Sequence, residues 1–322
     1  MAVYTKLDKE KLNAILSNYN LGEIKRFSEI KEGIENTNYL IQTNKGKYIL
    51  TIYEKRVDEN DLPFFSELMV ELSNKNFICP KPILNKSKKY ISDFKSKKFM
   101  IVSYLDGKSK KNLSPSECNM VGRESAKLHE ITKNFKLNRK NDLSVKSWRK
   151  IFDQVKDRCH KIHPDLPRLI ETNLSDIENN WPDNLPSGII HADLFADNIF
   201  FQNNKFSGFI DFYFSCNDFY AFEIAICFNA LCFDGIKENL SFNVTKAKKF
   251  IDGYNEVRKI SDQEKKYIKV LSQGAALRFL LTRVFDYMNI VDNAVVKIKD
   301  PIEYLKRLEF HKNAKDFEDY CI

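Results

Sequence analysis

A chain of 322 residues, 43% hydrophobic and 30% charged, has enough apolar surface to bury a core in one large or two medium domains, which excludes a disordered polymer. The net charge of +8 suits a solvated Lys-rich surface or a basic face for an anionic ligand such as a nucleotide phosphate. The basic residues are dispersed, with no aromatic-interleaved basic motif, which argues against a nucleic-acid reader. Seven cysteines, with no C-x-x-C pair, argue against a disulfide framework or a zinc site and predict a reducing cytoplasm. No run approaches the roughly 18 apolar residues of a membrane span, and the opening MAVYTKLDKEKL lacks an apolar signal core.

In chain order, residues 7–19 predict a short amphipathic helix. LGEIKRFSEI, NYLIQTN and GKYILTIYE follow as strands, the last two joined by a turn at Asn44–Gly46. Residues 61–76 return to helical spacing, with Phe64, Leu68 and Leu72 on one face. Strand-like runs lie at Ile83–Leu84, Tyr90–Phe94 and Phe99–Leu105. Ser114-Pro115-Ser116-Glu117 is a capping box with Pro at the first helical position, opening a helix to about Thr132. Helices are predicted over 147–160 and 165–180, and short strands near 188–191, 198–202 and 206–211. Further helices cover 219–234, 242–257, 262–290 and 301–317, the third opened by a capping box at Ser261–Glu264. The expected class is α+β: a sheet-rich lobe over residues 1–105 and a larger helical lobe over 106–322, with a ligand cleft between them.

The chemistry concentrates in GIIHADLFADNIFFQNNKFSGFIDFYFS, Gly188–Ser215. Asp193 and Asn198 bracket a short loop, and Asp211 ends a strand that a turn in QNNKFSG would fold back onto NIFF. An Asn carbonyl and an Asp carboxylate form a hard-oxygen pair suited to Mg²⁺ that also binds substrate phosphates. Asp193 is placed to accept a proton from a substrate hydroxyl. The spacing H-x-D-x-x-x-x-N, with I-D-F following, matches the catalytic loop and metal carboxylate of phosphoryl-transfer enzymes, with His191 and Asp193 as its catalytic pair. Asp211-Phe212-Tyr213 departs from D-F-G at its third residue. The alternative is that these are turn residues around a packed His191.

In EGIENTNYLIQTNKGKYIL, Gly33, Asn36 and Asn38 are candidates to present backbone or amide groups to nucleotide phosphates; an ordinary hairpin turn is the competing reading. G-x-G-x-x-G and Walker motifs are absent. Thr51 stands where a phosphate-binding strand cation is expected, Lys55 lies four residues on, and Glu67 is the candidate helix carboxylate.

On these residues the chain resembles the aminoglycoside phosphotransferase-like kinase superfamily, of protein-kinase-like two-lobed fold. Within it, GIENTNYLIQT, GKYILTIYEKRV, FFSELMVELSNKNFICPKPI, HADLFADNIFF and GAALRFLLTRVFDY are similar to the bacterial homoserine kinases of threonine biosynthesis. The resemblance implies ATP and Mg²⁺ as cofactors, Asp193 as base, Asn198 and Asp211 as metal ligands, and Ser103, Tyr104 and Leu105 as the adenine hinge. It implies that Thr51 is usual, and that Glu223 stands where relatives carry Asp in a D-L-A triplet. The acceptor implied is L-homoserine, whose carboxylate calls for a cation. Arg278 and Arg283 are the candidates, with ion pairing to Asp286 or Asp218 as the alternative for either. Tyr213, Asp218 and Glu223 are candidates for the substrate floor, and His129 is read as a packing residue. No nucleic-acid or membrane partner is expected, and monomer and homodimer are both open. The competing functions are a kinase for choline, another amino alcohol or an aminoglycoside, a non-catalytic nucleotide-binding protein, and, more weakly, a metal-dependent hydrolase.

Overall fold

The computed structural model describes residues 5–30, 36–54, 57–236, 239–289 and 300–321. By contact the chain divides into two units. The first takes the described residues up to Gly107 together with Ser207–Tyr213, and the second takes Lys108–Phe206 and the described residues from Phe214 onward. A single cut near residue 105 therefore misses one exchange: within the segment after Phe206 the chain returns to the first unit and brings Asp211 and Tyr213 with it.

In the first unit, β1 (Ile24–Ile30), β2 (Thr37–Thr43), β3 (Lys47–Ile52), β4 (Ile91–Phe94) and β5 (Lys97–Ser103) form one antiparallel sheet in the order β1-β2-β3-β5-β4. Period-2 burial along β2 sends Tyr39 and Ile41 to one face. There they meet Leu50, Ile52 and Ile101, and Leu12, Ile15 and Leu16 of α1 (Lys9–Leu16) cover them. Each fully buried large apolar side chain contributes about 1.5–3 kcal/mol. Asp8 caps α1 by accepting from the Lys11 backbone N–H at 2.8 Å. Thr51, and Tyr53 just past the end of β3, are also buried, so the sheet is covered on its second face, where Tyr213 sits between Tyr53 and Phe65 of α2 (Leu62–Asn74). Ile83 does not extend a strand; the run makes an isolated bridge, Pro82 to Val102, because proline withholds a ladder donor.

The second unit is mainly helical. Both predicted capping boxes form, at Ser114–Glu117 opening α3 (Pro115–Ile131) and at Ser261–Glu264 below. α4 (Val145–Asp153) is shorter than expected, since Val155 N–H turns back to the Phe152 carbonyl at 2.9 Å and tightens the chain into turns. After α5 (Leu166–Asn180) come the short strands β6 (Ser187–Ile190), β7 (Ile199–Gln202), β8 (Lys205–Phe209) and β9 (Cys216–Phe219). α6 (Tyr220–Leu231) is buried at every position except Ala230. Its predicted extension to residue 234 fails because Phe233–Asp234 pairs with Ser241–Phe242, stacking Phe233 edge-on to Phe242 at 5.1 Å. α7 (Val244–Val257), α8 (Asp262–Met288) and α9 (Ile302–Asn313) complete the unit. α3 and α7 approach closely at two glycines: a Cβ on Gly253 would lie 1.9 Å from the Asn119 carbonyl, and one on Gly122 2.0 Å from that of Phe250.

Candidate active site

In the second unit, β6 and β9 pair antiparallel, Ile190 opposite Cys216 and Gly188 opposite Asp218. The pairing delivers the chain to His191 at the end of β6. The next residue, Ala192, sits at φ +63°, a left-handed conformation that costs an ordinary L-residue about 1 kcal/mol or more. Two side chains hold it. Glu223 of α6, fully buried, accepts from the His191 N–H and, at 3.2 Å to each oxygen, from the Ala192 N–H. Arg278 of α8 donates through Nη1 to the Ala192 carbonyl at 2.6 Å. Both faces of one peptide turn are thereby tied to helices, and Asp193 is the residue that follows. Burial pushes the Glu223 carboxyl up to about 7; the backbone donors and Arg278 pull down, and the charge of Asp193 pushes up.

Asp193 and Asn198 are brought together. The Asn198 amide nitrogen donates to the Asp193 carbonyl at 2.8 Å and to its Oδ2 at 3.0 Å. Both bonds use the N–H end of the amide, which reserves the carbonyl Oδ1 as a hard-oxygen donor. The turn is closed by Phe195 N–H to Asp193 carbonyl and Asn198 N–H to Phe195 carbonyl, 2.8 and 2.9 Å. Phe195 anchors it edge-on against Phe279 of α8 at 4.8 Å. β7 then reaches Asn203 and Asn204, both left-handed, the conformation a two-residue hairpin turn requires.

Asp211 lies in the first unit, exposed and also left-handed, at φ +63°. Tyr213, two residues on, is wedged edge-on between Tyr53 and Phe65 at 5.2 and 5.7 Å. Thr51 donates to Asn38 Oδ1, its cross-strand neighbour, at 2.7 Å. Glu67 is exposed on α2. Asn36 accepts from the Glu54 N–H at 3.3 Å; Gly33 and Lys55 lie outside the described residues. Ser103 exchanges bonds with Lys81, its N–H donating to the Lys81 carbonyl at 2.8 Å and its Oγ accepting from the Lys81 N–H at 2.9 Å. Tyr104 bonds the Lys47 carbonyl at 3.1 Å and lies under its ammonium. Leu105 closes on Gly208, where an added Cβ would lie 2.7 Å from it. The hinge segment is thus fixed by its own backbone. Among the described residues, no group of three or more His, Cys, Asp or Glu side chains converges on a metal position. Asn198, in the second unit, and Asp211, in the first, each carry an oxygen of the hard type that suits Mg²⁺.

Three of the expected substrate contacts have other work. Glu223 is buried beneath the loop and contacts backbone. Arg278 is 2% exposed and spends its bond on Ala192. Arg283 pairs with Glu303 of α9 at 3.0 Å and lies over Tyr304 at 4.3 Å, the ion-pair alternative with Glu303 in place of Asp286 or Asp218. Each follows from burial, which requires a cation or carboxylate inside the fold to find a partner there. Asp218 is partly exposed, accepts from Asn141 at 2.6 Å and from the Phe219 N–H at 2.7 Å, and is pushed upward by burial. His129 is buried, bonded to the Tyr254 hydroxyl at 2.7 Å. Sequence reasoning missed Tyr53 and Phe65, although Tyr53 shares the strand face of Thr51 by simple alternation.

A family model described as the phosphotransferase enzyme family matches residues 26–247. A curated homoserine kinase of Mesorhizobium japonicum is 42% identical over 320 residues, 99% of each chain, and one of Xanthobacter autotrophicus is 44% identical over the same span and coverage. Among solved structures, an amicoumacin kinase in complex with AMP-PNP and Ca²⁺ superposes with TM-score 0.71 at 12% identity over 97% of this chain and 95% of that one. A choline kinase of Cryptosporidium parvum gives TM-score 0.70 at 20% identity over 95% and 94%. The expected protein-kinase-like α+β fold is what these neighbours share. With a family model over most of its length and full-length relatives above 40% identity, the chain belongs to the phosphotransferase enzyme family.

Proposed function

We propose that the chain is a homoserine kinase, transferring the γ-phosphoryl group of ATP to the side-chain hydroxyl of L-homoserine to give O-phospho-L-homoserine for threonine biosynthesis. The observation that carries this reading is the full-length identity of 42–44% to curated homoserine kinases. In this reading Asp193 aligns the acceptor hydroxyl and takes its proton, with His191 holding the start of the loop. Asn198 orients the Asp193 carboxylate through its amide N–H and offers Oδ1 to Mg²⁺; Asp211 offers the carboxylate. The ion, when bound, neutralises phosphate charge. Ser103, Tyr104 and Leu105 receive the adenine, and Asn36 and Asn38 flank the phosphates. Because the loop is held by Glu223 and Arg278 before substrate arrives, little reorganisation remains for the transfer step.

The setting proposed is the cytoplasm, where ATP is available and free thiols persist; the seven cysteines are all free. Among the described residues no helix is long and apolar enough to cross a membrane. An ADP-release assay across homoserine, choline, ethanolamine and an aminoglycoside tests the acceptor. Homoserine is expected to be the preferred acceptor, and activity confined to choline would overturn the assignment.

A further inference from the structure

Kinase-type sites commonly tie the metal carboxylate's neighbourhood together with a strand cation and a helix carboxylate. Here Thr51 occupies the strand position and Glu67 is exposed. Lys97 of β5 is committed to Glu54. What the first unit builds instead is uncharged. Thr51 of β3 alternates with Leu50 and Ile52, which face the other side of the sheet, and Tyr53 follows one residue past the strand's end. Asn38, directly across the ladder, takes the Thr51 hydroxyl at 2.7 Å. Into this face comes Tyr213. Its ring meets Tyr53 at 83° and Phe65 of α2 at 88°, the edge-to-face geometry aromatic quadrupoles favour. The Tyr53 hydroxyl is buried and makes no hydrogen bond among the described residues, so the ring contacts are what seat Tyr213 there.

We propose that Tyr213 is a positioning residue for Asp211: an uncharged aromatic clasp, with Tyr213 edge-on between Tyr53 and Phe65, locks the metal carboxylate to the end of β3 and to α2 in place of a Lys–Glu ion pair. One helical turn, Phe212–Phe214, begins right after the left-handed Asp211. Anchoring the ring of Tyr213 therefore fixes the backbone from which the carboxylate projects. With no cation in the clasp, neutralising the nucleotide's phosphates falls to the metal ion. Nucleotide affinity should then depend on the metal more steeply than where a strand lysine shares the load.

This inference rests on Asp211 being a metal ligand, and the test separates the two claims. Mn²⁺ is titrated into the ADP-loaded protein and free Mn²⁺ is read by electron paramagnetic resonance, so no turnover is needed. Asp211→Asn should lose most Mn²⁺ binding; retained binding would sink the metal reading itself. Tyr213→Phe keeps the ring in its edge-on seat and should bind Mn²⁺ within about threefold of wild type. Tyr213→Ala, which removes both ring contacts, should bind Mn²⁺ about tenfold more weakly. Wild-type Mn²⁺ affinity in Tyr213→Ala, with Asp211→Asn still defective, would overturn the clasp alone.

Discussion

Replacing Arg278 by Met removes a guanidinium that is 2% exposed and donates to the Ala192 carbonyl at 2.6 Å, while keeping an unbranched side chain in its place. A hydrogen bond from a charged donor contributes about 1.5–3 kcal/mol. Its loss also strips Glu223 of a neighbouring positive charge that holds its carboxyl down, so a destabilisation of about 3 kcal/mol is expected. The left-handed strain at Ala192, φ +63°, can then relax, and Asp193 moves with it. A displacement of roughly 1 Å at a reacting group costs on the order of 100-fold in rate. We therefore expect kcat to fall about 10- to 100-fold while the homoserine KM changes less than about threefold, the pattern of a lost transition-state alignment rather than a lost contact. The coupled ADP-release assay, with homoserine varied at saturating MgATP, gives both parameters, and urea unfolding gives the stability. If KM rises by about 30-fold or more with kcat unchanged, Arg278 grips the acceptor's carboxylate and the loop-holding role is refuted.

Asp193→Asn should reduce turnover by about 1,000-fold or more with ADP binding within about twofold of wild type by calorimetry; unchanged turnover would rule out Asp193 as the base. Glu223 carries a pH signature. Its folded carboxyl lies near 7, above the ordinary 4.5, so the fold favours the protonated form. That contribution, on the order of 3 kcal/mol, is fully present below about pH 4.5 and is lost as pH rises through about 7. Glu223→Gln should flatten the decline in urea midpoint across this window, and an unaltered pH slope would exclude Glu223 as its source. His311 acts in the opposite sense. Burial, with Arg307 nearby, lowers its pKa to about 3, so its stabilising share is present above about pH 6.5 and lost as pH falls through about 3. His311→Gln should therefore blunt acid unfolding measured by circular dichroism, and equal acid midpoints would contradict this. Gly253→Ala forces a Cβ to within 1.9 Å of the Asn119 carbonyl and should cost about 1–3 kcal/mol through overpacking, visible as a lower melting temperature; an unchanged melt would mean that α3 and α7 separate at no cost.

Much of the fold was legible because local rules governed it. Ser114 and Ser261, each followed three residues later by Glu, mark helix starts with groups that bond their own neighbours, and the alternation in NYLIQTN is a face pattern. Where long-range packing decided, the reading slipped. The extension of α6 past Leu231 fails because Phe233 finds Phe242, nine residues on, and β9 forms because Cys216 and Asp218 find Ile190 and Gly188. Within the loop, H-x-D-x-x-x-x-N encodes Asn198 meeting Asp193, since five residues of tight turn bring them together.

The sequence by itself thus determined the meeting of Asp193 and Asn198, because their spacing is one that a short turn enforces. The charges of Arg278, Arg283 and Glu223 looked equally suited to a zwitterionic acceptor, and only the tertiary structure decided their use. α6 and α8 bury Glu223 and Arg278 beside the Ala192 peptide, and α9 gives Arg283 to Glu303. A buried charge must be answered by its nearest partner, and which partner is nearest is a property of the packed fold rather than of the order of residues. The same holds for Tyr213, whose anchoring by Tyr53 and Phe65 depends on residues more than a hundred positions earlier in the chain.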